Sequence, residues 1–141
     1  MNNYIDEIIK LSKKAYKNND VPVGAIIVFN NKIIGRGYNK RNGHNDIMGH
    51  AEIIAIKKAI KKLKDWRLNE CDLYVTLEPC GMCKEIIKQA RIKNVFYLID
   101  KLDYKKEYNK TCFKKIDPID SFQQQEYKEQ LSTFFKDKCK R

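Results

Sequence analysis

Apolar residues return every three to four positions between residues 3 and 18. Ile5, Ile8, Ile9, Ala15 and Tyr16 share a stripe with Ser12, while Lys10, Lys13, Lys14 and Lys17 fall mostly outside it. That period predicts a helix, and Asn18-Asn19-Asp20 ends it. The pattern then changes. Residues 21–29 form a largely apolar run bounded by turn residues, the pattern of a buried strand. Residues 32–38 return as a second strand across Asn30-Asn31, a pair that tolerates left-handed backbone angles, so a hairpin is expected. Gly35 and Gly37 alternate on one strand face, as at a bulge or where backbone or a ligand approaches closely.

A polar loop, residues 39–48, leads into a predicted helix over 50–64. Ile53, Ile56, Ile60 and Leu63 line one face, and Lys57, Lys58, Lys61, Lys62 and Lys64 crowd the rest. Such a lysine face is either simply solvated or in contact with phosphates. Trp66-Arg67 closes this helix by stacking or by packing. A strand over 73–77, a helix over 80–90 and a strand over 94–99 follow, with Pro79 suited to the first helical position. Strand, helix and strand in succession imply parallel neighbours joined by a crossover. Residues 110–116 read as a last, weak strand. Residues 121–138 read as a final helix capped by Ser121, carrying Leu131, Phe134 and Phe135 and running into the basic tail Lys136, Lys138, Lys140 and Arg141. Repeats and low-complexity linkers are absent, so 1–141 is expected to be one domain, long enough for a sheet with covering helices.

Composition narrows the setting. No apolar run approaches the roughly 18 residues of a membrane span. The first residues lack the basic and apolar regions of a signal peptide, so a cytoplasmic location is expected. Five cysteines, an odd number, suit reduced thiols better than a disulfide framework. The net charge of +11 attracts polyanions. A competing explanation is compositional: Lys far outnumbers Arg, and Asn and Ile abound, as in an A/T-rich coding sequence.

Two short stretches carry chemistry: His50-Ala51-Glu52 and Pro79-Cys80-Gly81-Met82-Cys83. Cys80 and Cys83, three apart at a helix start, face the same way. Free backbone N–H groups there favour thiolates, the form that binds metal. Two sulfurs and the His50 imidazole suit zinc, and three protein ligands leave a fourth position for water. Glu52, beside that position, has the makings of a general base and then a general acid. A closed four-ligand site would recruit Cys71, Cys112, Cys139 or His44, none spaced to pair with His50. A redox Cys-x-x-Cys is the other alternative, and the upstream His-x-Glu weighs against it. The loop before His50 also brings Asn39 and Asp46 toward the metal. Asn39 can both donate and accept, as a base edge requires, or it can cap the loop in an Asx turn.

The two stretches resemble the signature of the cytidine deaminase superfamily. Within it the chain resembles the bacterial tRNA-specific adenosine deaminases. The resemblance rests also on Val21-Pro22-Val23-Gly24-Ala25, Ile34-Gly35-Arg36-Gly37-Tyr38-Asn39, Trp66-Arg67-Leu68 and Leu73-Tyr74-Val75-Thr76-Leu77-Glu78, and loosely on Ser132-Thr133-Phe134-Phe135. Departures are Ile47 where the family has Pro, Gly49 where it has Ala, and the Lys- and Tyr-rich stretch 101–111. The resemblance implies an α/β, three-layer, cytidine-deaminase-like fold: a mixed central sheet of about five strands with helices on both faces. It implies a zinc enzyme, with one Zn2+ per chain on His50, Cys80 and Cys83, and Glu52 as proton carrier. The expected reaction is hydrolytic deamination of adenosine to inosine at the wobble position of a tRNA anticodon stem-loop. Asn39 and the Ala51 N–H would hold the base, and Asp100 would contact the ribose or merely cap a strand. Phe134, Phe135 and Lys136 would touch RNA, with core packing an alternative for at least one ring. A homodimer is implied. Deamination of a free guanine or cytidine type substrate, and an inactive zinc-containing RNA-binding module, are the rival readings.

Overall fold

A computed structural model describes residues 2–41, 45–101, 111–116 and 121–138. The expected final strand falls partly on residue 110, and the basic tail on Lys140 and Arg141, all outside these residues, as is most of the 101–111 stretch. The elements run α1 (Asn2–Lys17), β1 (Gly24–Phe29), β2 (Lys32–Tyr38), α2 (Ala51–Leu63), β3 (Asp72–Leu77), α3 (Gly81–Gln89), β4 (Asn94–Ile99) and α4 (Phe122–Lys138). Residues Met1–Asp103 form one compact unit and Tyr104–Arg141 a second.

In the first unit the strands order β2-β1-β3-β4. β1 pairs antiparallel with both β2 and β3, and β3 pairs parallel with β4, so the sheet is mixed as expected. The hairpin turn uses Asn30 and Asn31 at φ 50° and 62°, the left-handed pair a tight two-residue turn requires. Four strands, not about five, stand among the described residues. Thr111 to Ile116 form no strand, and Phe113 and Ile116 there are 91% and 82% exposed. With no ladder beside it among the described residues, the stretch has no cross-strand partner there to hold it extended.

The sheet is covered on both faces. Alternate residues of β1 point opposite ways: Ala25 and Ile27 join α2, Leu68, Leu73, Val75, Cys83 and Ile87 in the larger core, while Ile26 and Val28 join Ile8, Leu11 and Tyr74 under α1. Each fully buried Leu or Ile contributes about 1.5–3 kcal/mol.

The glycines of β2 set how α2 seats. A Cβ on Gly35 would collide with the Ala55 carbonyl oxygen, and one on Gly37 with that of Ala51. Ala51, Ala55 and Ala59 recur one turn apart and are fully buried, so helix backbone lies directly on strand backbone. A register shift also falls between Ile27 and Val28, opposite this stretch. Both explanations for the paired glycines therefore hold. Gly37→Ala is expected to cost about 1–3 kcal/mol, read as a lower urea midpoint. Gly81→Ala, whose Cβ would meet nothing within 4 Å, should leave the midpoint nearly unchanged.

Candidate metal centre and active site

β2 ends at Tyr38, and the chain leaves it by two backbone bonds. Asn39 N donates to Val23 O at 3.1 Å, and Lys40 N to Gly49 O at 2.8 Å. The second bond closes the neck of the 40–49 loop and delivers His50 to the start of α2. A Cβ on Gly49 would stand 2.8–2.9 Å from Lys40 and Arg41 backbone, so the alanine that the family carries here needs that backbone to shift slightly. His50 is the N-cap of α2, in extended geometry. Cys80 is likewise the N-cap of α3, so the helix starts at Gly81, one residue later than expected, and Pro79 precedes the cap instead of opening the helix.

The two helix starts converge. His50 Nδ1 lies 3.7 Å from Cys80 Sγ and 3.4 Å from Cys83 Sγ, and all three donor atoms lie within 4.8 Å of one another. A tetrahedral zinc with sulfurs at about 2.3 Å and nitrogen at about 2.05 Å separates sulfur and nitrogen by roughly 3.6 Å. The donor set and its spacing fit that ion. Among the described residues no fourth His, Cys, Asp or Glu joins the cluster. Cys71 is buried in the core, Cys112 is exposed and belongs to the second unit, while His44 and Cys139 lie outside the described residues.

The sulfurs are unequal. The Cys83 thiol donates to Cys80, and with the His50 hydrogen bond this pulls the Cys80 pKa down to about 3, while the same bond and burial push Cys83 up. The Cys80 thiolate in turn raises His50 against the opposing effect of burial. Metal ligation needs both sulfurs as thiolates, so a dication bound here would displace any proton the pair retains. Glu52, in the first turn of α2, is only 4% exposed. Burial raises its pKa, a backbone hydrogen bond opposes that, and its carboxyl also hydrogen-bonds Cys83. A carboxyl held beside the metal position and shielded from bulk water is suited to carrying protons.

Asn39 is buried, and its Oδ1 accepts from Ala51 N at 2.8 Å. Of the two expected base-holding groups, one therefore binds the other: the Asn39 carbonyl is committed to α2, leaving its amide NH2 as the donor. Asp46 is turned to its own loop, where Oδ1 accepts from Met48 N at 2.9 Å. Asp100 follows β4 and is exposed. Phe134, Phe135 and Lys136 lie exposed on α4, the two rings edge-to-face at 5.4 Å, so neither ring is core.

Glu78 was not singled out by residue pattern. Its Oε2 accepts from Lys84 Nζ at 2.7 Å and its Oε1 from Lys101 N at 3.3 Å, which hold the carboxyl below its usual range. Its own N–H donates to Ile99 O at 2.9 Å. Glu78 thereby ties the end of β3 to the end of β4 and to α3, bracing the cysteine turn. The signal available was an acid directly before Pro-Cys with a lysine six residues on.

Residues 1–99 match the family described as the cytidine and deoxycytidylate deaminase zinc-binding region. The chain belongs to this zinc-dependent deaminase family. A tRNA-specific adenosine deaminase of Buchnera aphidicola subsp. Schizaphis graminum is 40% identical over 141 residues, covering 92% of this chain and 90% of the relative. The Bacillus subtilis tRNA-specific adenosine deaminase is 43% identical over 94 residues, 67% of this chain but 58% of that protein. A solved tRNA:A34 deaminase superposes with a TM-score of 0.69 at 36% identity, over 71% of this chain and 77% of its own. The guanine deaminase of Bacillus subtilis superposes with a TM-score of 0.76 at 27% identity, over 92% and 93%. The deaminase family and the donor set agree on zinc as the cofactor.

Proposed function

We propose that this protein hydrolyses adenosine to inosine in tRNA, at the wobble position of the anticodon, with His50, Cys80 and Cys83 as zinc ligands and Glu52 as proton carrier. The observation that carries the chemistry is the three-donor cluster with a buried carboxyl beside it. The similarity to a tRNA-specific adenosine deaminase over 92% of the chain, and to a solved tRNA:A34 deaminase over 71% of it, supports the substrate. When bound, zinc supplies a Lewis acid that lowers the pKa of water from about 15.7 toward about 7.

The chain's residues do the rest. Asn39, fixed by Ala51 N, orients the base through its amide NH2. Glu52 takes a proton from the attacking water as its oxygen adds to C6. It delivers that proton to N1, then takes the proton of the new C6 hydroxyl and passes it to the exocyclic amine. The C6–N6 bond breaks, ammonia leaves and the C6 carbonyl of inosine remains. The base must leave its stack first, which costs a few kcal/mol and is easiest in a loop. Asp100 near the ribose, and Phe134, Phe135 and Lys136 against the RNA, belong to the same proposal. So does 1–141 acting as one deaminase domain, which the length of the Buchnera alignment supports. A cytoplasmic setting keeps the paired thiols reduced. No helix among the described residues is long and apolar enough to cross a membrane.

The homodimer rests on the family resemblance and on exposed Phe96, Tyr97, Leu98 and Ile99 of the edge strand β4. Sedimentation at micromolar concentration tests it, and a monomer throughout refutes it.

Deamination of free guanine is the second reading, favoured by the near-complete superposition on a guanine deaminase. Incubating the zinc-loaded protein with an anticodon stem-loop, and separately with guanine, cytidine and adenosine, decides between them. Inosine in the stem-loop alone is expected. Xanthine from guanine with an untouched stem-loop overturns the tRNA reading.

A further inference from the structure

We propose that the outer face of α2 is a track for the phosphate backbone of RNA, engaging the strand that continues beyond the base held at His50 and Glu52. This rests on the RNA-substrate reading above. The feature is a ridge of five exposed lysines, Lys57, Lys58, Lys61, Lys62 and Lys64. The single acid on this helix, Glu52, is buried at its other end. Lys57–Lys61 and Lys58–Lys62 stand one turn apart, where like charges repel. None of the five makes an ion pair among the described residues, whereas Lys84, Lys88 and Lys93 are each paired with a glutamate. Just past the ridge, half-exposed Trp66 carries Arg67 and Arg91 against its ring, at 4.9 and 5.0 Å from the centroid. Arg67 already leans on Asp65 at 3.6 Å, so Arg91 is the cation that extends the ridge.

Position distinguishes this face from the general basicity of the chain. At 1.5 Å per residue the ridge begins about 10 Å from His50 and ends about 21 Å from it. A nucleic-acid strand carries a phosphate roughly every 3.4 Å, so several phosphates fall alongside. Lys10, Lys13, Lys14 and Lys17 of α1 are equally exposed, yet α1 covers the opposite face of the sheet. An RNA seated at the zinc site lies on the α2 side.

That contrast supplies the test. Binding of full-length tRNA is measured across salt concentrations for the wild type, for K57Q/K58Q/K61Q/K62Q, and for the control K10Q/K13Q/K14Q/K17Q, which removes the same charge. Zinc content and melting confirm that each variant is folded. Each phosphate contact contributes about 0.7–0.9 to the slope of log K against log salt. The α2 variant should lose about 3 in slope and bind at least about tenfold more weakly near 0.1 M salt, and the α1 variant should lose less than about 1. Equal losses in both variants would reduce the effect to net charge and overturn the proposal, as would an unchanged slope in the α2 variant or a wild type that does not bind tRNA. The readout is binding, so a wild type that binds with this pattern but forms no inosine supports the track and sinks the deaminase reading.

Discussion

Glu52→Gln is expected to lower turnover by about 10²–10⁴-fold, up to roughly 5 kcal/mol of barrier, with zinc content unchanged. Glutamine nearly keeps the volume of a side chain only 4% exposed, so the core around it need not collapse. It retains a hydrogen-bond acceptor for Cys83 but cannot receive and return a proton. The measurement is inosine per protein after nuclease digestion of the tRNA, beside zinc by atomic absorption. Full turnover with Gln would remove Glu52 from the mechanism. Loss of zinc in this variant would instead make Glu52 a structural member of the metal cluster.

The second large effect is on the metal itself. Cys80→Ser or Cys83→Ser is expected to weaken zinc binding by more than about 100-fold and to abolish activity. Removing even an outer-shell partner of a zinc ligand typically costs 10–100-fold, and here a donor is lost. Cys71→Ser is the control: its thiol is also buried, but it faces the core at the start of β3, away from the cluster. It should cost stability and leave zinc stoichiometry intact. Stoichiometric zinc in both Cys80 and Cys83 variants would refute the ligand assignment. Loading the metal-free wild type should also release protons, because Cys83 holds one against the Cys80 thiolate, and a weakly buffered titration reads this directly.

Much of this architecture was legible because the periodicities were strong. β2 and β4 fall on the expected 32–38 and 94–99, and α1 is displaced by one residue from 3–18. Helical spacing in α1 and the alternation of Gly35, Arg36 and Gly37 in β2 agree with burial, so pattern and tertiary structure ask for the same thing there, whereas β4 is exposed along nearly its whole length. Apolar Val21 and Val23 extend the pattern of the first strand backwards, but with Pro22 between them pairing begins only at Gly24. The cysteine turn was placed one residue early because Pro79 fits a first helical position, yet Cys80 takes the extended cap angles that aim its sulfur at His50. The fifth strand failed for another reason: Thr111 to Ile116 has strand-like residues but no ladder among the described residues, and β-propensity has little force without one.

In the site, the cluster of candidate metal donors was readable from spacing, and its support was not. His50, Cys80 and Cys83 announce themselves by type and interval. Glu78 as a brace, and the Asn39–Ala51 bond, depend on chain segments brought together only by folding. Likewise, the choice between a bulge and close approach at Gly35 and Gly37 needed the helix that lies on them.

His50 reaches the centre from the β2–α2 arm, and the cysteines reach it from the β3–α3 arm. An ion held by these three residues would work as a cross-link between two separately rooted limbs, so that one bond set would serve both catalysis and rigidity. Amide exchange in the opening turns of α2 and α3 should slow together on metal uptake, while the α1 side of the sheet exchanges as before.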